Sequence, residues 1–163
     1  MSLTEIAVAI AESSIGTALR ESLILFPLIE GIHLLGLALS FGLILFTDLR
    51  LIGVFMPNVP ISQILGQLRR LVFVGFFLTF LTGFLLFWAE ADTMIENPAF
   101  LWKLAAIAVA LINAAVFETI LHRRGAAWLD QVSAPAVARR AGWISLSFWG
   151  AATVGGRLIP YFA

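Results

Sequence analysis

The feature that most restricts this chain is the recurrence of apolar stretches long enough to cross a bilayer. A helix rises about 1.5 Å per residue, so a crossing takes roughly 20 mostly apolar residues. The sequence supplies that length four times. The first stretch runs from about Leu23 to Phe46 and is closed by Thr47, Asp48, Leu49 and Arg50. The second follows Arg69 and Arg70, from Leu71 to about Trp88, where Glu90 and Asp92 end it. The third opens at Asn97 and Pro98, a capping asparagine followed by proline at the first helical position, and spans about 99–122 before Arg123 and Arg124. The fourth, about 141–159, lies between Arg140 and Pro160. Even spacing and short connections predict an all-α polytopic membrane protein, one transmembrane domain over 1–163 folded as an up-down-up-down four-helix bundle.

Composition agrees with that reading. The chain is 61% hydrophobic and 12% charged, where soluble domains average about 45 to 50% and about 25%. The formal net charge of zero leaves no electrostatic footprint for nucleic acid. With no cysteine, disulfides, thiolate metal sites, thioether-attached haem and a cysteine nucleophile are all excluded. Two histidines make any metal chemistry sparing.

Residues 2–20 read as a separate amphipathic helix. Ser2 and Glu5 have capping-box spacing, and Leu3, Ile6, Ala7 and Ile10 share a face. Glu5, Glu12 and Ser13 lie elsewhere around it, so it is expected to rest in the membrane interface. A basic start and a long apolar run are both missing, which separates it from a signal peptide.

Arginines set the expected orientation, because cytoplasmic loops retain positive charge. Arg50, Arg69 and Arg70 lie between the first two spans, and Arg123, Arg124, Arg139 and Arg140 between the last two. Between spans two and three stand only acids, Glu90, Asp92 and Glu96. A bacterial inner membrane with both termini periplasmic follows. Five tryptophans are present; Trp88, Trp102 and Tyr161 fall at the outer boundary, Trp128 and Trp143 at the inner, and only Trp149 sits deep.

Each span carries a stripe of small residues of the kind membrane helices pack through, such as Gly36 and Ser40, or Gly75, Thr79 and Gly83. Ordinary helix packing explains them. Gly36, one turn below His33, is also the glycine best placed to make room for a flat ring or a neighbouring subunit.

Ionisable groups inside a span cost at least about 2.5 to 3.5 kcal/mol each at its centre, so they normally face the interior with a partner. Glu30 and His33 are three apart on one helix face, and Arg157 in the fourth span can reach toward them. These three form the candidate intramembrane site. Three functional readings and one structural reading stay open: an axial haem ligand, a quinone-binding histidine, a Glu-x-x-His metal pair, or a Glu30–Arg157 ion pair with a hydrogen-bonded His33. Asp48 and Arg50 read as interfacial anchors, and Glu118 as the partner of an inner-loop arginine. His33 and His122 differ in depth by on the order of 16 Å, so one chain does not readily hold a haem between them. His33 then acts alone, with a non-histidine group, or with its own copy across a two-fold axis.

The run Glu30-Gly-Ile-His33-Leu-Leu-Gly36 and the later Phe46-Thr-Asp48-Leu-Arg50-Leu-Ile-Gly53 resemble the first helix of an uncharacterised bacterial four-helix membrane family. Thr82-Gly83, Asn97-Pro98-Ala-Phe100, Lys103, Asn113 and Gly156-Arg157-Leu-Ile-Pro-Tyr161 are similar to it as well, so the resemblance covers nearly the whole chain. More distantly, the His-x-x-Gly and Asp-Leu-Arg patterns are similar to copper-resistance D-type proteins and haem-binding membrane protoporphyrinogen oxidases. Those relatives imply a metal or haem at His33. A histidine near Glu118, and a lysine partner as in the oxidases, are not matched here, Lys103 being assigned to the outer interface.

The expected function is a small haem-b or metal-associated, cytochrome-like protein of the inner membrane, with His33 as ligand and Glu30, Gly36 and Arg157 around the cofactor. Electron transfer and ligand sensing both fit. A cofactor-free accessory subunit is the alternative, and copper or proton translocation through Glu30 and His33 is another. Met1, Met56 and Met94 make no ladder of soft ligands for copper. The lipid bilayer is the expected environment, with a homo-oligomer or a larger membrane complex as the assembly and no nucleic acid. No nucleophile with its base and no phosphate-binding loop stand out, which weighs against catalysis by the isolated chain.

Overall fold

The computed structural model describes residues 2–124 and 128–162, and the side chains of residues 120–124 lie outside that description. The expectation that His122 is interfacial therefore falls outside the described residues, as do the side chains of Arg123 and Arg124. All regular structure among the described residues is helical: α1 (Leu3–Ala11), α2 (Ser14–Arg20), α3 (Leu25–Ile52), α4 (Ile61–Ala89), α5 (Ala91–Met94), α6 (Pro98–Arg124) and α7 (Ala136–Leu158), with a 3-10 turn over Ile159–Tyr161.

Three of these helices, Leu25–Ile52, Ile61–Ala89 and Pro98–Thr119, are long and apolar enough to cross a membrane. Helix α7 has the length, at 23 residues, but Ser145, Ser147, Thr153, several glycines and Arg157 dilute its apolar character. The helices also outrun the apolar stretches. Helix α4 begins ten residues before Leu71 and α7 five before Ala141, because Arg69, Arg70, Arg139 and Arg140 sit inside helices rather than ahead of them. Arginine is a good helix former, so a charge that marks the membrane edge need not end the helix.

The expected single helix over 2–20 is two. Ser2 and Glu5 make the full capping box at the start of α1. Ser13 then caps α2, its hydroxyl accepting from the Gly16 amide at 3.2 Å. A Cβ at Gly16 would lie 2.4 Å from the Ala11 carbonyl oxygen, so the tight break between α1 and α2 needs glycine at that position. Ala7, Ala11 and Ala91 form a small core that seats this pair on α4 and α5, flanked by Ile10, Phe87 and Ile95. The Trp88 indole donates to the Ser13 hydroxyl at 2.9 Å.

Helix α3 packs against α4 and α7, and α6 against α7, whereas α4 and α6 do not pack along their lengths. Two ends can be distinguished. At the capped end, where α1, α2 and α5 lie, the Asn97 side chain accepts from the amides of Ala99 and Phe100 and donates to the Ile159 carbonyl at 3.0 Å, joining α6 to the end of α7. At the opposite, loop end, Arg50 is fully buried. Its guanidinium donates to Val59 O at 2.9 Å and to Val132 O at 2.7 Å, holding both loops at once.

Candidate functional site

The long helices enclose a cavity of about 960 Å³ that lies toward the capped end. That volume is at the upper end of the roughly 300 to 1,000 Å³ typical of ligand pockets. Its walls are mainly apolar, with Phe76, Phe80, Phe84, Ile107 and Trp149 among them. Polar groups are few and sit mostly near the capped end: Glu30 and His33 from α3, Glu90 at the end of α4, Lys103 from α6 and Arg157 from α7. The structure thus brings Glu30, His33 and Arg157 onto one wall system, and no ion pair joins Glu30 to Arg157 among the described residues.

His33 is held by α4. Its Nδ1 lies 3.0 Å from the Thr79 carbonyl oxygen and 3.1 Å from Thr82 Oγ1. A carbonyl only accepts, so Nδ1 carries the proton in this arrangement, and in the neutral ring Nε2 keeps its lone pair. No described residue hydrogen-bonds Nε2. The ring fits because residue 83 is glycine: a Cβ there would stand 3.0 Å from His33 Cε1. A backbone carbonyl on one ring nitrogen and a free lone pair on the other is the arrangement that orients and strengthens a ligating imidazole.

Lys103 reaches the cavity through a notch in α7. A Cβ at Gly155 would be 3.3 Å from Lys103 Cβ, and one at Gly156 would be 3.6 Å from its Nζ. Its ammonium acts electrostatically on His33, as does the Glu30 carboxylate. Glu90, just past α4, has its carboxyl pushed up from the ordinary value, first by burial and then by the like charges of Asp92 and Glu30, with Arg20 opposing. Arg20 also lies 3.8 Å from Asp92. Depth counting from the sequence put Lys103 at the interface and Glu90 at a span end. Gly155-Gly156 opposite an otherwise solitary lysine, and Thr79-x-x-Thr82-Gly83 opposite His33, were the available signals.

Gly36 is not part of the cavity wall. A Cβ there would meet Thr79 Oγ1 at 2.9 Å and the Thr79 amide nitrogen at 3.1 Å, so α4 fills the space expected for a ring or a second subunit. Among the described residues no three His, Asp or Glu side chains come together as a metal-ligand set. At the loop end, the Glu118 carboxylate accepts from Arg69 Nη2 at 2.9 Å, linking α6 to α4. Asp48 is buried, at only 5% exposed. Neither Asp48, Arg50 nor Glu118 borders the cavity.

Comparison with known proteins gives a family without an activity. No curated protein and no solved structure matches the chain. Nothing in these comparisons links it to copper-resistance D-type proteins or protoporphyrinogen oxidases. A family model described as a family of unknown function, DUF6644, matches residues 15–162. By the extent of that match, the chain belongs to this family.

Proposed function

We propose that the cavity holds haem b with His33 as its axial ligand, and that the protein is a small, cytochrome-like component of the bacterial inner membrane that passes electrons or senses a ligand. The observation that carries this reading is the tethering of His33 Nδ1 to the Thr79 carbonyl beside a large apolar cavity. Haem bound there would supply a one-electron couple or an open coordination position. His33 contributes the lone pair of Nε2, with Thr79 and Thr82 fixing its ring. Arg157 and Lys103, both bordering the cavity, would hold the propionate carboxylates, and Glu30 and Glu90 would offset these cations when the site is unfilled. The phenylalanines and Trp149 exclude water from the ring.

The topology belongs to the same proposal. Helix α7 is taken as the fourth crossing of an up-down-up-down bundle. The gathering of Arg50, Arg69, Arg70, Arg139 and Arg140 at the loop end supports a cytoplasmic loop end, with the capped end and both termini periplasmic. Helices α1 and α2 then lie at the outer interface.

The test is an optical spectrum with iron analysis on protein from its native membrane. A Soret band that is lost in His33→Ala supports the reading. Stoichiometric copper without a Soret band would replace it by copper handling, and a colourless, stable assembly by an accessory subunit. An accessory subunit that oligomerises through small-residue stripes is less favoured, since Gly36, Gly75 and Gly155 are engaged in contacts within the chain.

A further inference from the structure

Among the described residues, helices α4 and α6 are joined near each end. At the loop end Arg69 reaches Glu118 at 2.9 Å, and at the capped end Phe87 stacks on Phe100 with centroids 5.5 Å apart. Between these closures the cavity is bordered by Phe80 and Phe84 of α4 and by Leu104 of α6, which are 41%, 54% and 45% exposed. All three stand on helices apolar enough to lie in the hydrocarbon.

From this we infer that the cavity opens sideways into the bilayer between α4 and α6, and that a hydrocarbon chain of a surrounding phospholipid occupies the opening whenever no other ligand fills it. An apolar space of this size gives water too few hydrogen-bond partners to fill its deep part. It also borders a fluid of acyl chains, whose methylenes lose nothing by moving from lipid to apolar side chains. Charged groups stay near the capped end, at Glu30, Glu90, Lys103 and Arg157, so a chain entering at mid-depth meets mainly Phe, Leu, Ile and Trp149. The hydroxyls of Ser40, Thr79 and Thr153 in the lining donate to carbonyls of their own helices. The inference rests on the cavity being a ligand site. It adds the route: a lipid-soluble ligand enters from the membrane, not from the periplasm, and displaces an acyl chain on arrival.

Trp149 provides the readout. It is only 7% exposed, borders the cavity, and packs on Phe76 with centroids 4.7 Å apart. A variant in which Trp88, Trp102, Trp128 and Trp143 are replaced by phenylalanine leaves Trp149 as the sole indole. The pigment-free full chain is placed in vesicles of phosphatidylcholine carrying dibrominated acyl chains, with unbrominated vesicles as control, and quenched separately with acrylamide. Bromine quenches at near contact, so a loss of half or more of the Trp149 emission in brominated vesicles, with little acrylamide effect, is expected. Acrylamide quenching without bromine quenching would overturn the inference in favour of a water-filled cavity open to the periplasm. Quenching by neither would overturn it in favour of a closed site. A sole-Trp143 variant, in which this residue is 54% exposed, must be quenched by bromine in the same vesicles and confirms insertion. Absorbance of the native preparation reports on haem independently, so the two proposals fail separately.

Discussion

The imidazole Nδ1 of His33 lies 3.0 Å from the backbone carbonyl of Thr79, across the contact between α3 and α4. A side chain on α3 is thereby oriented by the main chain of α4. The contact exists because Gly36, Gly75 and Gly83 let the two backbones approach. Helix packing and site geometry are one arrangement here.

Gly83→Ala is predicted to disturb the site more than the fold. The added methyl would stand 3.0 Å from His33 Cε1, and the imidazole must shift off the Thr79 carbonyl to relieve it. A cost of about 1 kcal/mol is expected, at the low end of overpacking, since a side chain rather than a backbone gives way. Bound pigment should fall several-fold, read from the ratio of Soret to protein absorbance. Unchanged pigment content would contradict the placement of His33.

Gly75→Ala should act on the fold itself. Its Cβ would come 2.8 Å from the Ser40 amide nitrogen and 3.0 Å from Ser40 Cα, which are backbone atoms that cannot step aside. Loss of about 1 to 3 kcal/mol is predicted, measured as a lowered Tm in detergent. Gly31→Ala is the control: nothing lies within 4 Å of the added methyl, and removing a mid-helix glycine should leave stability unchanged or raise it by about 0.5 to 1 kcal/mol.

Arg50→Lys tests the loop end. One guanidinium donates to Val59 O and Val132 O together, and an ammonium on a flexible stem does not reproduce that fork. Hydrogen bonds from charged donors are each worth roughly 1.5 to 3 kcal/mol, so destabilisation of about 2 kcal/mol is expected. Protease cleavage in the 53–60 and 128–135 loops should rise together. Cleavage in one loop alone would contradict the shared tie.

Glu90 predicts a pH dependence. Its folded-state carboxyl titrates above the ordinary 4.5, so the folded protein binds this proton more tightly than the unfolded chain. The stabilisation is complete below the ordinary carboxyl range and is lost as pH rises through the raised value. Glu90→Gln should therefore match the parent at low pH and exceed it at neutral pH. The gain should stay under about 1 kcal/mol because the group is half exposed and solvent-screened. Thermal unfolding between pH 4 and 8 checks it, and a variant less stable than the parent at neutral pH would reverse the sign.

Much of the architecture was legible from local signals. Asn97-Pro98 opens α6, and Ser2 with Glu5 opens α1, because capping chemistry acts within one turn. The break at Ser13 was missed because it depends on Gly16 lying against the Ala11 carbonyl. Helices α4 and α7 run through the arginine pairs, because charge reports the membrane edge and not the end of hydrogen bonding. In the site, Glu30, His33 and Arg157 could be grouped by depth alone. Lys103 could not, since its direction is set by the Gly155-Gly156 notch on another helix. Gly36 looked equally suited to a ring or a helix, and only the position of Thr79 decides which one is there.

The central claim is that His33 presents Nε2 to haem b, and the most direct measurement is the reduced-minus-oxidised optical spectrum, with iron content, of the protein purified from its native membrane. The account predicts a b-type Soret band with about one iron per cavity, absent from His33→Ala that still folds. A native preparation with no Soret band and no iron would contradict it.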